Sequence, residues 1–440
     1  MQLKPKQRED LARAALHDGL IFAWDTGLGK SLGSLLWACL KVGWRLDHND
    51  RVMPHAAVLI VGPSDGFEHW QSEARIWQIE LRRFETQEEF TRLCADGRSM
   101  PPAFYYTTYP QLTRNGVADF PPWTAMPGDT NEAKLAVHKE WSAGIDEFRC
   151  NIRCCYSASL ADLCAAAFRC VIVDEAVRMK GSASLVGLGV RQLSPKYRLV
   201  VTATPIKNRL PDIFWLAWWA AGGSPTPSAR FPYEGSVSDQ RTLSESFLIE
   251  ETNLTKEARA REAGRKTRYQ KFTAQVCNVH GLWKLLAALV LRRRKADMDA
   301  DIPPKLRHVI RVPMGRRQKE VYKYHLNARY EDENGKPAIG PKLQALRIAA
   351  ANPCSPLLHV VRGWNGQDQP GTFASTHDYV PKLATGLNLI QRILAENDQV
   401  ACFSAFQSSL DALGARLDDC GVPHLILDGR TPPEKRGRLA

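Results

Sequence analysis

Seven short apolar runs, each closed by a polar or glycine-containing turn, constrain this chain more than any other feature of its sequence. They are "LIFAW" (20–24), "AVLIVG" (57–62), "AFYYTT" (103–108), "CVIVDE" (170–175), "RLVVTAT" (198–204), "VACFS" (400–404) and "HLILD" (424–428). Helical patterns lie between most of them. Short, continuously apolar strands alternating with helices build parallel sheets through crossover connections. The expected class is therefore α/β. The first five runs should form one sheet with helices on both faces, and the last two should begin another. Between these groups, 222–240 reads as a loop, 241–296 as helical and charged, 316–351 as helical with a break near 333–342, and 362–378 as a loop. Residues 113–150 read as an insertion, and no internal repeat is visible. A chain of 440 residues is long enough for two or three domains with their own cores.

Several classes drop out at once. The opening "MQLKPKQRED" lacks the shape of a signal peptide, and "LLAALVL" (285–291) is far too short to cross a bilayer. The expected location is the cytoplasm, with the nucleoid, or the nucleus if the source is eukaryotic. The eleven cysteines are then expected as reduced thiols. Cys39, Cys170 and Cys402 lie in apolar runs and read as small core residues. Cys150, Cys154, Cys155 and Cys164 cluster more densely. Without a Cys-x-x-Cys pair, free thiols are preferred there over a metal centre. The formal net charge is +12, and residues 291–330 carry 12 Lys/Arg against 4 Asp/Glu, so +8 of it falls in that segment. Such clustering fits either a solvated basic face or a polyanion partner.

Ligands of open α/β sheets collect at the carboxyl ends of the strands. "DTGLGKS" (25–31) follows the first run there and resembles a phosphate-binding loop, with Trp24 where the usual first glycine stands. Gly27 and Gly29 let backbone N–H groups approach an anion, with Thr26 and Leu28 completing the loop. Lys30 offers a cation to the β/γ-phosphates and Ser31 a hydroxyl to Mg²⁺. The helix that follows turns its positive end toward the site. About 145 residues later, Asp174 and Glu175 close the fourth run. An acid in that place can hold Mg²⁺ and a second can polarise the attacking water.

With those two elements in place, the chain is identified as resembling the Swi/Snf-like ATPases of helicase superfamily two, the double-stranded-DNA translocases. The motifs run in order over nearly the whole chain: "LKPKQ" (3–7), "DTGLGKS", "LIVGPSDGFEHWQSEARIW" (59–77), "YYTTY" (105–109), "DEAV" (174–177), "VTATPIKNRLPDIFWLAWW" (201–219), "LRRRKADM" (291–298), "IPPKLRHVIRV" (302–312), "LQALRIAAANP" (343–353), "FSAFQSSLDAL" (403–413) and "LDGRTPPEKR" (427–436). The resemblance implies ATP and Mg²⁺ as cofactors and double-stranded DNA as partner. Gln7 would read adenine, Asp174, Glu175 and Lys30 would serve catalysis, and Ser31 and Asp174 would hold the metal. Thr202 and Thr204 would couple ATP to movement. Ser64, Thr107, Thr108, Ser404 and Arg430 would contact nucleic acid. Trp24 is no obstacle, because the family commonly lacks that glycine.

The implied architecture is a RecA-like parallel-sheet domain with helices on both faces, helical insertions, and the N-terminal part of a second RecA-like domain. Its boundaries are 1–221 for the ATP-binding domain (with the insertion at about 113–150), 222–300 for a helical insertion, 301–379 for a basic linker and helical protrusion, and 380–440 for an incomplete second helicase domain. Two departures stand out: Val177 replaces the histidine of the acidic box, and Ala203 replaces a common glycine. The family's last two motifs, including an arginine finger, are not met before Ala440. The segment from about Val380 onward is therefore expected to be loosely held, with an exposed apolar face, and turnover by these residues alone is expected to be slow. The alternatives are a nucleotide-binding DNA-binding module without efficient turnover and a strand-separating DNA or RNA helicase.

Overall fold

In the computed structural model, which describes residues 3–94, 100–113, 160–182, 184–207, 209–223, 231–251, 272–297, 306–331, 335, 337–355, 358 and 380–432, five of the seven runs become neighbouring strands. The strands in chain order are β1 (Gly19–Trp24), β2 (Trp44–Leu46), β3 (Val52–Pro54), β4 (Val58–Gly62), β5 (Leu81–Arg83), β6 (Phe104–Thr108), β7 (Cys170–Val173), β8 (Tyr197–Val201), β9 (Leu248–Glu251), β10 (Phe272–Val276) and β11 (Val290–Arg293). Seven of them form one sheet in the order β11-β1-β8-β7-β4-β6-β5, and every pairing in it is parallel.

The central strands are apolar throughout because both faces are covered. Successive side chains alternate between two cores. Leu20, Phe22, Trp24, Ile60, Tyr106, Ile172 and Leu199 pack on one face beneath α1 (Pro5–Ala15), α2 (Lys30–Val42) and α3 (Phe67–Ile76). Ile21, Ala23, Leu59, Val61, Tyr105, Val171 and Val200 pack on the other, with helices such as Leu185–Gln192, Phe214–Ala220 and Val237–Phe247.

The chain divides into two compact units, 1–303 and 304–440. In the second, helices Arg316–Asn327 and Ile339–Ala351 enclose Val321, Ala345, Ile348 and Ala349. Helices Pro381–Ala395 and Gln407–Asp419 enclose Leu383, Ile390, Leu413 and Leu417.

Four expectations change. First, 241–296 is not uniformly helical. It holds the antiparallel ribbon β9/β10 and the edge strand β11, which lies beside β1. The arginines of "LRRR" read as a charged helix, but an edge strand tolerates exposed charge. Second, "VACFS" and "HLILD" form no strand, because neither finds a ladder partner among the described residues. Third, Cys402 is consequently exposed, whereas Cys39 and Cys170 are buried as expected. The apolar face anticipated beyond Val380 is present, with Phe403 92% and Leu425 67% exposed. Fourth, the loop expected over 222–240 ends early, since a helix starts at Val237. Residues 114–159, with Cys150, Cys154 and Cys155, and 362–378 lie outside the described residues.

Candidate functional site

Gln7, the phosphate-type loop, Thr202 and the acid pair come together in the first unit. The loop leaves β1, Thr202 follows β8 and Asp174 follows β7, and these three strands are adjacent in the sheet. Ser64 lies beyond β4, the next strand over.

Trp24 shows why the loop does without its first glycine. Its ring is buried on the α2 face, stacked on Phe22 at 4.8 Å, so it points into the core and away from the loop. Gly27 and Gly29 take φ values of 82° and 78°, the left-handed region that side chains resist. A β-carbon at Gly29 would stand 2.8 Å from the Gln7 side-chain nitrogen. That same amide donates to the Leu28 carbonyl at 3.0 Å, so α1 braces the loop from outside. Lys30 donates to the Asp25 carbonyl at 3.4 Å. Burial lowers its ammonium pKa, opposed by Glu175, Asp174 and Asp25.

Across from Lys30, burial raises the Asp174 pKa, against the pull of the Trp70 indole, the Glu175 amide, Lys30 and His69. Trp70 Nε1 donates to its carboxylate at 2.8 Å, and the Glu175 amide donates at 2.9 Å. Glu175 adopts φ 48° at the turn that follows the strand. Its pKa is raised by burial and then by Asp174, against Lys30, Arg178 and Lys207. The Ser31 hydroxyl bonds His69 Nε2 at 3.0 Å. Two oxygen donors, Ser31 and Asp174, with the carboxylate of Glu175 adjoining Asp174 in sequence, suit a small hard cation.

Thr202 is fully buried, and its hydroxyl accepts from the Thr204 amide at 3.2 Å. Val177 is partly buried in a short 3-10 turn, Ala176–Met179.

Ser64 is exposed, as a ligand contact requires. Thr107 and Thr108 are not: they are 0% and 3% exposed at the end of β6, where both faces of the sheet are covered. Enclosed there, neither side chain reaches the surface that a nucleic acid would touch. The tyrosines of the same motif act internally. Tyr106 donates to the Pro63 carbonyl at 2.6 Å, next to Ser64, and the Tyr109 hydroxyl donates to the Asp174 carbonyl.

In the second unit, the Ser404 side chain is exposed, and its oxygen also accepts from the Phe406 amide at 3.1 Å. Arg430 differs from expectation, because Asp411 and Asp428 each hold its guanidinium at 2.6 Å. A cation already matched by two carboxylates is poorly placed to hold a phosphate.

The basic segment 291–330 fits either a solvated face or a polyanion partner, and at β11 three of its arginines are paired with acids of this unit. Arg292 pairs with Asp25 at 2.8 Å, Arg293 with Asp10, and Arg294 with Asp297 at 2.8 Å. The Lys295 amide donates to the Asp25 carboxylate at 2.9 Å. Sequence reasoning missed Asp25, His69, Trp70 and this arm. All of them lie inside the motifs named above, yet no spacing rule connects residue 25 with residue 292.

A family model described as the SNF2-related domain matches residues 11–348. The ISWI chromatin-remodeling complex ATPase CHR17 of Arabidopsis thaliana is 28% identical over 274 residues, covering 61% of this chain and 22% of that protein. The transcription regulatory protein SNF2 of Saccharomyces cerevisiae is 24% identical over 283 residues, covering 61% of this chain and 15% of that one. The chain thus spans less than a quarter of the length of either relative. Among solved structures, the Sulfolobus solfataricus SWI2/SNF2 ATPase core in complex with dsDNA aligns with a TM-score of 0.41 at 17% identity, over 95% of this chain and 70% of that one. Among the described residues no helix is long and apolar enough to cross a membrane.

Proposed function

This chain belongs to the SNF2-related family, and from that premise we propose that it is the ATP-driven engine of a motor that moves on duplex DNA. The observation that carries the reading is the convergence of loop, threonine and acid pair on three adjacent strand ends, with Gln7 against the loop. The backbone of Thr26–Gly29 and the Lys30 ammonium would receive the phosphates, and Gln7 would face the adenine. Ser31, turned away from His69, and Asp174 would hold Mg²⁺, which when bound offsets phosphate charge. Glu175 would take the proton of the water that attacks the γ-phosphorus as the bond to ADP breaks. Its raised pKa makes it a better base than a fully solvated carboxylate. Thr202 and Thr204, just past the end of the strand between those of the loop and the acids, would register the change. The coupling role remains part of this proposal, as do the DNA contacts of Ser64 and Ser404.

Duplex DNA as the track rests on the family and on exposed cations of the second unit such as Arg307, Arg311, Lys319 and Lys323. Such contacts grip the phosphate backbone without reading sequence. Chromatin remodelling belongs to the names of the relatives, and only the engine is carried over here.

Calorimetry with a non-hydrolysable ATP analogue and ATPase assays with duplex DNA, single-stranded DNA and RNA test the reading. Lys30→Ala should weaken analogue binding at least about tenfold, or about 1.4 kcal/mol. Glu175→Gln should leave affinity near wild type and abolish hydrolysis. Unchanged affinity in a folded Lys30→Ala protein would refute the nucleotide site.

A further inference from the structure

Of the four consecutive cations Arg292–Lys295, the first and last reach the phosphate-type loop, and the first three are accounted for. Arg292 binds the Asp25 carboxylate and the Ala23 carbonyl, Arg293 binds Asp10, and Arg294 binds Asp297. Lys295 differs. Its backbone is fixed, since its N–H donates to the Asp25 carboxylate at 2.9 Å. Its ammonium has no hydrogen-bond or ion-pair partner among the described residues, and the residue is exposed. The side chain lies along Gly27: Cε and Nζ are each 3.9 Å from the point where a β-carbon on that glycine would stand.

We propose that Lys295 is a second phosphate-binding cation of the nucleotide site, delivered to the loop from β11 and held there by Asp25. The proposal rests on the reading of residues 25–31 as a phosphate cradle. A triphosphate brings several negative charges into a site whose loop supplies one ammonium, Lys30, itself partly buried. An unpartnered cation on a long flexible stem can swing onto the phosphates at little cost, whereas the fixed fork of Arg292 is engaged by Asp25. The arrangement also has a reason to be built this way. Asp25 opens the loop and receives both Arg292 and the Lys295 amide, so loop and arm form one body, and the ammonium is aimed by the backbone rather than by chance.

Calorimetric titration of the full chain with Mg²⁺ tests this, using a non-hydrolysable ATP analogue and, separately, adenosine. Lys295→Met keeps the stem and removes the charge. It should weaken analogue binding about three- to tenfold, leave adenosine binding unchanged and make the salt dependence of analogue binding shallower. Lys295→Arg should recover most of the loss. Lys30→Ala runs in parallel. If Lys30→Ala loses the analogue and Lys295→Met does not, Lys295 is a solvated surface lysine and the proposal falls alone. If neither variant loses it, the cradle reading fails and takes the proposal with it. Equal weakening toward analogue and adenosine also overturns the proposal, since charge on the phosphates would then not be the cause.

Discussion

Val58–Gly62 and Val400–Ser404 are both short, mainly apolar runs ending in a small residue, yet one is the centre of a sheet and the other is not a strand. The first lies between β7 and β6, and Val58 to Val61 are each 0% exposed. The second has no ladder partner among the described residues, and its Phe403 is 92% exposed. An apolar run records that a segment is suited to burial. Burial itself needs a neighbour on each edge and a helix on each face. The first unit supplies them from β11 to β5, and 380–432 supplies two helices packed on each other.

Amide hydrogen exchange should expose the largest difference. The amides of 58–62 should exchange only when the whole unit opens, at about 5–15 kcal/mol, and those of 400–403 at close to zero. Equal protection of the two segments would mean that 400–403 has a ladder after all, and the comparison would collapse. Truncation of one aromatic in each unit sharpens it. Trp24→Ala empties a fully packed position and should cost about 3–5 kcal/mol in denaturant unfolding. Phe403→Ala should stay within about 0.5 kcal/mol. A large cost at Phe403 would show that its ring is covered in solution.

The same contrast explains what was legible beforehand. Five strands were readable because a buried parallel strand is apolar along its whole length, and the phosphate-type loop because its glycines sit where φ turns positive. β11 was not, because an edge strand carries charge and its arginines follow a helix without a break signal. The motif tyrosines and threonines were readable as a motif but not as to direction. Only the register at the end of β6 decides that Thr107 and Thr108 are enclosed while Tyr106 reaches Pro63. Asp25 and Lys295 are 270 positions apart, and their meeting follows from β11 lying beside β1.

The smallest expected difference concerns ion pairs. Arg293 and Asp10 have side chains 17% and 7% exposed, while Arg430 and Asp411 are 60% and 45% exposed. Counting pairs would rank the two alike. Desolvation separates them, since removing one partner of a buried pair strands the other charge, whereas water replaces an exposed partner. Asp10→Ala should therefore cost about 2–3 kcal/mol, toward the low side because the guanidinium keeps some exposure. Asp411→Ala should cost less than about 0.5 kcal/mol, with Asp428 still in place beside Arg430. High salt should erase the second effect and leave most of the first. An Arg293→Met change in the Asp10→Ala background should recover stability, because no charge is then left buried. If the double variant is as unstable as Asp10→Ala alone, the cost lies in packing between α1 and β11 and not in the stranded charge. Since α1 also carries Gln7 against the loop, that outcome would make the edge strand a mechanical support of the nucleotide site rather than an electrostatic one.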